Sequence, residues 1–163
     1  TRNEGRVRAL FEYVRDEIDH SFDVPAELAT CSASEVLREG TGLCYAKSHL
    51  LAGLLRFAGF PTGFCYARLA NADRPGKFVL HGFNAIYWGP SEAWIFVDPR
   101  GNLEGIHSEA RFGAPFSLAY APDPEQGESF LPFIYRRPGK RIIDLLERAP
   151  DFAAVRRNLP DQL

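Results

Sequence analysis

The sequence predicts an α+β fold in which helices come first and a small antiparallel sheet follows. Three observations predict it. Up to Gly59 the apolar residues recur at three- and four-residue spacing, the period of a helix face. Beyond Gly59 they gather into short aromatic and β-branched runs bounded by Gly and Pro, the mark of strands. The tight turn Gly89-Pro90-Ser91 between two such runs predicts a hairpin, and so an antiparallel pairing.

Each element follows in order. From Arg2 to Ile18, Val7, Leu10, Phe11, Val14 and Ile18 form one apolar stripe, so this is an amphipathic helix. A polar stretch with Pro25 runs on to Thr30. Ser32 or Ser34 can cap a short helix through Leu37 and Arg38, which Gly40-Thr41-Gly42 interrupts. Cys44 to Ala58 carries Ala46, Leu50, Leu51, Leu54, Leu55 and Phe57, a stripe broad enough for a helix buried around most of its circumference; Gly59 and Pro61 end it. Thr62 to Leu69, Val79 to Trp88 and Ala93 to Val97 read as strands, with a polar connector at 71–77. From Pro99 to Pro138 the chain is dense in Gly, Pro and aromatics without a period, which predicts a long ordered loop, more a packed cover than a lid. Helices close the chain over 140–158, broken by Pro150, with Asp151 capping the second. There is no repeat or linker, so 1–163 is expected to be a single domain.

Bulk composition excludes several classes. With 45% hydrophobic and 25% charged residues the chain matches an ordinary globular protein. A net charge of −2 supplies no global field for nucleic acid or an anionic membrane, so neither is an expected partner. No apolar run reaches the roughly 20 residues a bilayer span needs, and the N-terminus lacks the apolar core of a signal peptide. The expected location is cytoplasmic, although the chain begins at Thr1 and an export signal upstream would not be visible. Cys31, Cys44 and Cys65 form neither a disulfide framework nor a zinc-type pair. Cys31 and Cys65 are expected to be buried thiols, with a bridge between them the alternative in an oxidising compartment.

The segment Gly40-Thr41-Gly42-Leu43-Cys44 carries the chemistry, because it places a cysteine at a helix N-terminus. The unpaired backbone N–H groups there favour thiolate over thiol, and the same groups could hold a substrate oxyanion. A small buried cysteine in a first helical turn is the competing reading. A nucleophilic thiol also needs an imidazole to take its proton and a third group to orient that imidazole. His49 shares the helix of Cys44 but points to another face; His20 and His107 lie in irregular segments. His81 opens a strand, and Asp98 ends the next strand of the hairpin, so the two can be neighbours. Taken singly, His81 is more often a satisfied surface or core histidine, and Asp98-Pro99 more often a strand-ending turn.

Several linked motifs resemble the transglutaminase-like superfamily. They are Ala33-Ser34-Glu35-Val36-Leu37, then Gly42-Leu43-Cys44, then Leu55-Arg56-Phe57-Ala58-Gly59-Phe60-Pro61, with His81 opening a strand and Trp94-Ile95-Phe96-Val97-Asp98-Pro99 closing the set. The resemblance spans residues 33–101. It implies a papain-like core in which the Cys44 helix packs on the sheet bearing His81 and Asp98. It also implies acyl transfer through a thioester, with Cys44 as nucleophile, His81 as base and Asp98 as the group that orients His81, and without metal or other cofactor. The chain departs from the family pattern in two places. Gly82-Phe83 stands where relatives have Ala-Trp after the histidine, which removes an indole from the expected cleft wall. Lys47 stands where many relatives have an acidic residue, and it could assist thiolate formation or sit at the core rim.

The function expected from this is thiol-dependent hydrolysis of a peptide, protein or small amide substrate. Transfer to an amine acceptor, a true transglutaminase activity, uses the same three residues; a chain of 163 residues offers no accessory module for a second protein, which favours water as acceptor. A catalytically idle peptide-binding domain is the alternative of another class. Tyr45, Trp88 and Trp94 are expected to pack or line the cleft. The second donor of an oxyanion hole, beside the N–H of the nucleophile, is not legible.

Overall fold

The computed structural model describes residues 1–163. α1 (Arg2–Glu12) starts at a capping box: Thr1 accepts from Glu4 N while the Glu4 side chain reaches back to Thr1 N. The helical stripe expected to run to Ile18 instead widens into a π-helical turn at Tyr13–Glu17, and Ile18 is already extended. Lys47 Nζ donates to the carbonyls of Arg15 (3.2 Å) and Ile18, which serves oxygens at the end of this wide turn. The chain then enters β1 (Asp19–His20).

α2 (Ala33–Glu39) is capped by Ser32, again with a capping box from Glu35, and Gly40 closes it in the left-handed region at φ 68°. β2 (Thr41–Gly42) pairs in parallel with β1, placing Asp19 beside Thr41 and His20 beside Gly42. α3 (Cys44–Phe57) follows at once. Its N-cap is Leu43, which offers no side-chain acceptor, so the first amide N–H groups keep their donors free. Every residue from Cys44 to Ala52 is buried, as the broad stripe predicts. Full burial of Leu50, Leu51 and Leu55 stabilises by about 1.5–3 kcal/mol each.

β3 (Thr62–Ala70), β4 (Phe78–Trp88) and β5 (Ala93–Val97) form the expected antiparallel sheet, β4 between the other two. The turn after β4 is a 3₁₀ turn at Gly89–Ser91, closed by Glu92 at φ 50°. Alternation divides β4: Leu80, Gly82, Asn84 and Ile86 lie on one face, and His81, Phe83 and Ala85 on the other. α3 packs on the sheet, where Asn84 Nδ2 donates to Ser48 O at 3.1 Å and to Gly63 O at 3.2 Å.

The segment expected to be a long ordered loop, 99–138, also adds a strand to the sheet. β6 (Ser129–Phe130) pairs with Arg68 and Ala67 of β3, and Phe64 exchanges two 2.8 Å backbone bonds with Tyr135. These contacts occupy the free edge of β3, which would otherwise remain open to another strand. α4 (Lys140–Arg148) buries Ile142 and Leu146; α5 (Phe152–Arg157) is capped by Asp151 and buries Phe152 and Val155. No helix is long and apolar enough to cross a membrane.

Candidate active site

Cys44 begins α3, and both connections into it are set by backbone pairing. Asp19 N donates to Gly40 O at 2.9 Å and Ser21 N to Gly42 O at 3.1 Å, which fixes the approach to the helix end. Gly42 is closely packed: a Cβ there would meet Ala46 Cβ at 3.1 Å and Thr30 Oγ1 at 3.2 Å. Cys44 and His81 line one cavity of about 550 Å³, with His20, Phe22, Tyr45 and Tyr120 among its other walls.

His81 and Asp98 come together through the hairpin register, in which Asn84 faces Val97. His81 Nε2 donates to Asp98 Oδ2 at 2.7 Å, and both side chains are almost completely buried. That leaves Nδ1 for the thiol. Burial is the largest influence on the His81 ring and disfavours its charge; the Asp98 carboxylate, then the charge and hydrogen bonding of Cys44, outweigh it and hold the pKa well above the ordinary histidine value. Asp98 is held in turn. Its Oδ2 also accepts from Ala119 N at 3.0 Å, its Oδ1 accepts from Arg100 N at 3.1 Å, and its own carbonyl accepts from Ser108 Oγ at 2.7 Å.

This geometry joins a helix-terminal thiol, an imidazole with one nitrogen committed, and a buried carboxylate, all built from the first 98 residues plus their supports. Residues 1–99 match the profile of the transglutaminase-like superfamily. The chain belongs to that superfamily. No curated protein matches the chain significantly. Among solved structures, a protein from Cytophaga hutchinsonii named as a candidate cysteine protease is 21% identical, aligned over 58% of this chain and 30% of its own, at a TM-score of 0.45. A TGase is 18% identical over 68% of this chain and 29% of its own, at a TM-score of 0.47. The chain thus spans under a third of either relative.

Within this transglutaminase-like chain the departures from the family pattern have physical causes. Gly82 makes room for Tyr45: a Cβ at Gly82 would lie 2.9 Å from Tyr45 Cδ1. The Tyr45 ring is buried, and its hydroxyl donates to Leu80 O on the same strand. Phe83 does not line the Cys44 cavity. It lies on the other face of the sheet, among Cys65, Ala67 and Ala85, with its ring stacked on His81 at 6.3 Å and 14°. Lys47 is wholly buried, and its ammonium donates to the Arg15 and Ile18 carbonyls. Burial pushes its ammonium down to about 8, with Arg100 adding to the effect and Asp23, Asp19 and Asp16 opposing it.

The remaining sequence candidates divide as follows. Trp88 packs in the core against Phe60 and Phe112, and Trp94 is partly exposed. His49 Nδ1 donates to Cys31 O at 2.7 Å, and the ring stands edge-on to Phe64. His107 is exposed beside Glu109. Cys31 and Cys65 are free thiols in separate clusters. Burial, then Glu147 and Glu35, pushes Cys31 up to about 11; burial pushes Cys65 up to about 12. No three His, Cys, Asp or Glu side chains converge to hold a metal. A larger groove of about 700 Å³, lined by Arg56, Trp94, Arg136 and Arg137, contains no Cys, His or carboxylate.

Two site residues were not singled out from the sequence. Arg100 is buried and forms a two-point ion pair with Asp23, while its Nε donates to the Tyr120 hydroxyl at 2.9 Å. Tyr120 stands edge-on to His81 with ring centroids 4.8 Å apart. Burial opposes the Arg100 charge, but its bonds to Asp23 and Tyr120 raise its pKa above the usual arginine value. The Asp-Pro-Arg run at 98–100 is the only signal that could have pointed to it.

Proposed function

We propose that this protein is a thiol hydrolase of peptide or amide bonds, with Cys44 as nucleophile, His81 as its acid and base, and Asp98 as the group that orients His81. The observation that carries the reading is the buried 2.7 Å bond from His81 Nε2 to Asp98, beside the thiol at an uncapped helix end. Asp98 fixes the ring so that Nδ1 faces Cys44, and the raised His81 pKa favours a thiolate–imidazolium pair.

The thiolate attacks the carbonyl carbon, and the C=O π electrons move onto oxygen. The tetrahedral species collapses, the C–N bond breaks, and the departing amine takes the proton from His81 Nδ1. Water then gives a proton to Nδ1 as its oxygen adds to the thioester carbon. Expulsion of the Cys44 thiolate releases the carboxylic acid and restores the imidazolium pair. An amine in place of water gives transfer by the same steps. A cleft of about 550 Å³ accommodates a peptide side chain and its flanking backbone.

The test is covalent labelling with a peptide-amide electrophile and, separately, with amine probes, followed by mapping of the modified residue. Labelling at Cys44 that requires His81, with carboxylate rather than amide as the released product, supports hydrolysis. Incorporation of the amine moves the assignment to transfer. Absence of both, with the probe peptide still bound, points to an idle binding domain.

A further inference from the structure

We propose that His20 is the side-chain donor of an oxyanion hole at Cys44, its Nε2–H acting beside the backbone N–H of the nucleophile. The proposal rests on the acyl-transfer reading above. His20 is held by backbone pairing: it stands opposite Gly42 in the β1–β2 register, two residues before the cysteine. The ring is 5% exposed and lines the cavity that holds Cys44 and His81.

The hydrogen bonding of the ring sets its tautomer. Nδ1 accepts from Phe22 N at 3.2 Å, so Nδ1 carries no proton and the ring proton is on Nε2. Nε2 makes no hydrogen bond within the protein, and it is not sealed in the core as the unpaired Ser48 Oγ, His49 Nε2 and Asn84 Oδ1 are, so it is accessible from the cavity that the ring lines. A buried ring with its one donor left open toward a nucleophile's cavity is placed to receive an acceptor from a ligand. The carbonyl oxygen of a bound acyl group is such an acceptor.

The surroundings keep the ring neutral. Burial acts first, and the positive charges of Arg100, Lys47 and His81 add to it. A neutral donor matters here because a cation would stabilise the resting thiolate as well as the oxyanion. Only the interaction that strengthens in the transition state lowers the barrier. As the C=O electrons move onto oxygen, Nε2–H and Cys44 N–H donate to the new anion. The electrons return as the leaving group departs, and His20 keeps its proton throughout.

The test separates oxyanion stabilisation from thiol reactivity, using p-nitrophenyl acetate for acylation and iodoacetamide for alkylation, which forms no oxyanion. His20→Phe keeps an aromatic ring without a donor, His20→Met is a second donorless variant in case the first disturbs packing, and His20→Gln offers an amide N–H at similar reach. The p-nitrophenol burst rate should fall about 10²–10³-fold in the Phe and Met variants. Alkylation of Cys44 and its pH profile should stay as in wild type, and Gln should recover part of the burst. Acylation at the wild-type rate in both donorless variants overturns the proposal. So does a parallel loss of alkylation and acylation, which would place the ring's effect on the thiol itself. Wild-type protein that alkylates at Cys44 yet releases no p-nitrophenol refutes the acyl-transfer reading, and this one with it.

Discussion

Gly82→Ala should loosen the joint between α3 and β4, because its new methyl group points at the residue that follows the nucleophile. The added Cβ would stand 2.9 Å from Tyr45 Cδ1, 3.5 Å from Tyr45 Cα and 3.6 Å from Tyr66 Cε1. Ordinary carbon contacts lie at about 3.5–4.0 Å, so only the first contact must open, by about 0.6 Å or more. The Tyr45 ring cannot swing freely: it is 1% exposed and its hydroxyl is tied to Leu80 O. Either that bond is lost or the N-terminal turn of α3 retreats from the sheet. Overpacking of this kind costs about 1–3 kcal/mol, offset by up to about 1 kcal/mol from the reduced freedom of the unfolded chain. The net loss should be about 1–2 kcal/mol, a fall in Tm of about 2–8 °C for a chain of this size.

Urea unfolding of wild type, Gly82→Ala, Tyr45→Ala and the double variant checks the cause. With Tyr45 truncated, the remaining contacts are at ordinary distance, and the second substitution should be neutral or slightly stabilising. The coupling energy should then be about 1–3 kcal/mol. Alkylation of Cys44 in Gly82→Ala should also slow, since Tyr45 carries its chain neighbour with it. Equal costs of Gly82→Ala in the two backgrounds would refute the assignment of the clash to Tyr45.

Four further outcomes follow. Asp98→Asn should lower turnover by about 10²–10⁴-fold and also cost about 1–3 kcal/mol, because three N–H groups point at the carboxylate and an amide offers only one acceptor oxygen. His81 holds its proton more tightly folded than unfolded, so its contribution to stability is full below its unfolded pKa of about 6.5 and fades as pH rises through the folded value. The wild-type minus Asp98→Asn difference in Tm, measured from pH 6 toward pH 10, should therefore narrow as pH rises; a difference that widens would contradict it. Lys47→Met should destabilise by about 1–3 kcal/mol by leaving the Arg15 and Ile18 carbonyls without their donor, yet leave the rate of Cys44 alkylation unchanged; a slowed alkylation with unchanged stability would return Lys47 to the chemistry. Iodoacetamide at mildly acidic pH should modify Cys44 ahead of Cys31 and Cys65, whose thiols are pushed up to about 11 and about 12, and equal rates at all three measured by mass spectrometry would count against a catalytic thiol.

The parts legible in the sequence are those whose signal is local. The helix-terminal cysteine could be read because glycines precede it and a continuous apolar stripe follows. The meeting of His81 and Asp98 could be read because a hairpin with a short turn fixes its own register. β1 and β2 could not be read: each is two residues long, too short for any period, and they pair across 22 positions. The role of His20 depends on that pairing and on a bond to Phe22, so it was hidden as well. The Gly82-Phe83 pair shows a different limit. Adjacent strand residues face opposite ways, so the Gly82-Phe83 pair could never both border α3, and it is the glycine that does.

Composition favours a cover over a lid for the aperiodic stretch from Pro99 onward, but it does not say what the stretch binds to. A segment without a period has no repeating partner for its backbone groups, so those groups must be satisfied one by one by whatever they pass. Here they are met by the edge of β3, through Phe64 and Tyr66, and by the carboxylate of Asp98 through Ala119 N. The second of these contacts ties the stretch to the candidate chemistry. Displacing Ala119 would remove a hydrogen bond from the oxygen that also holds His81, and would carry Tyr120 away from the imidazole it borders. Arg100 links the same two places, since its backbone bonds to Asp98 and its side chain to Tyr120 and Asp23. The stretch therefore acts as the outer wall of the His81 site. A lid over the cleft could open only by giving up these bonds, which is why the packed arrangement is the one that keeps the imidazole oriented.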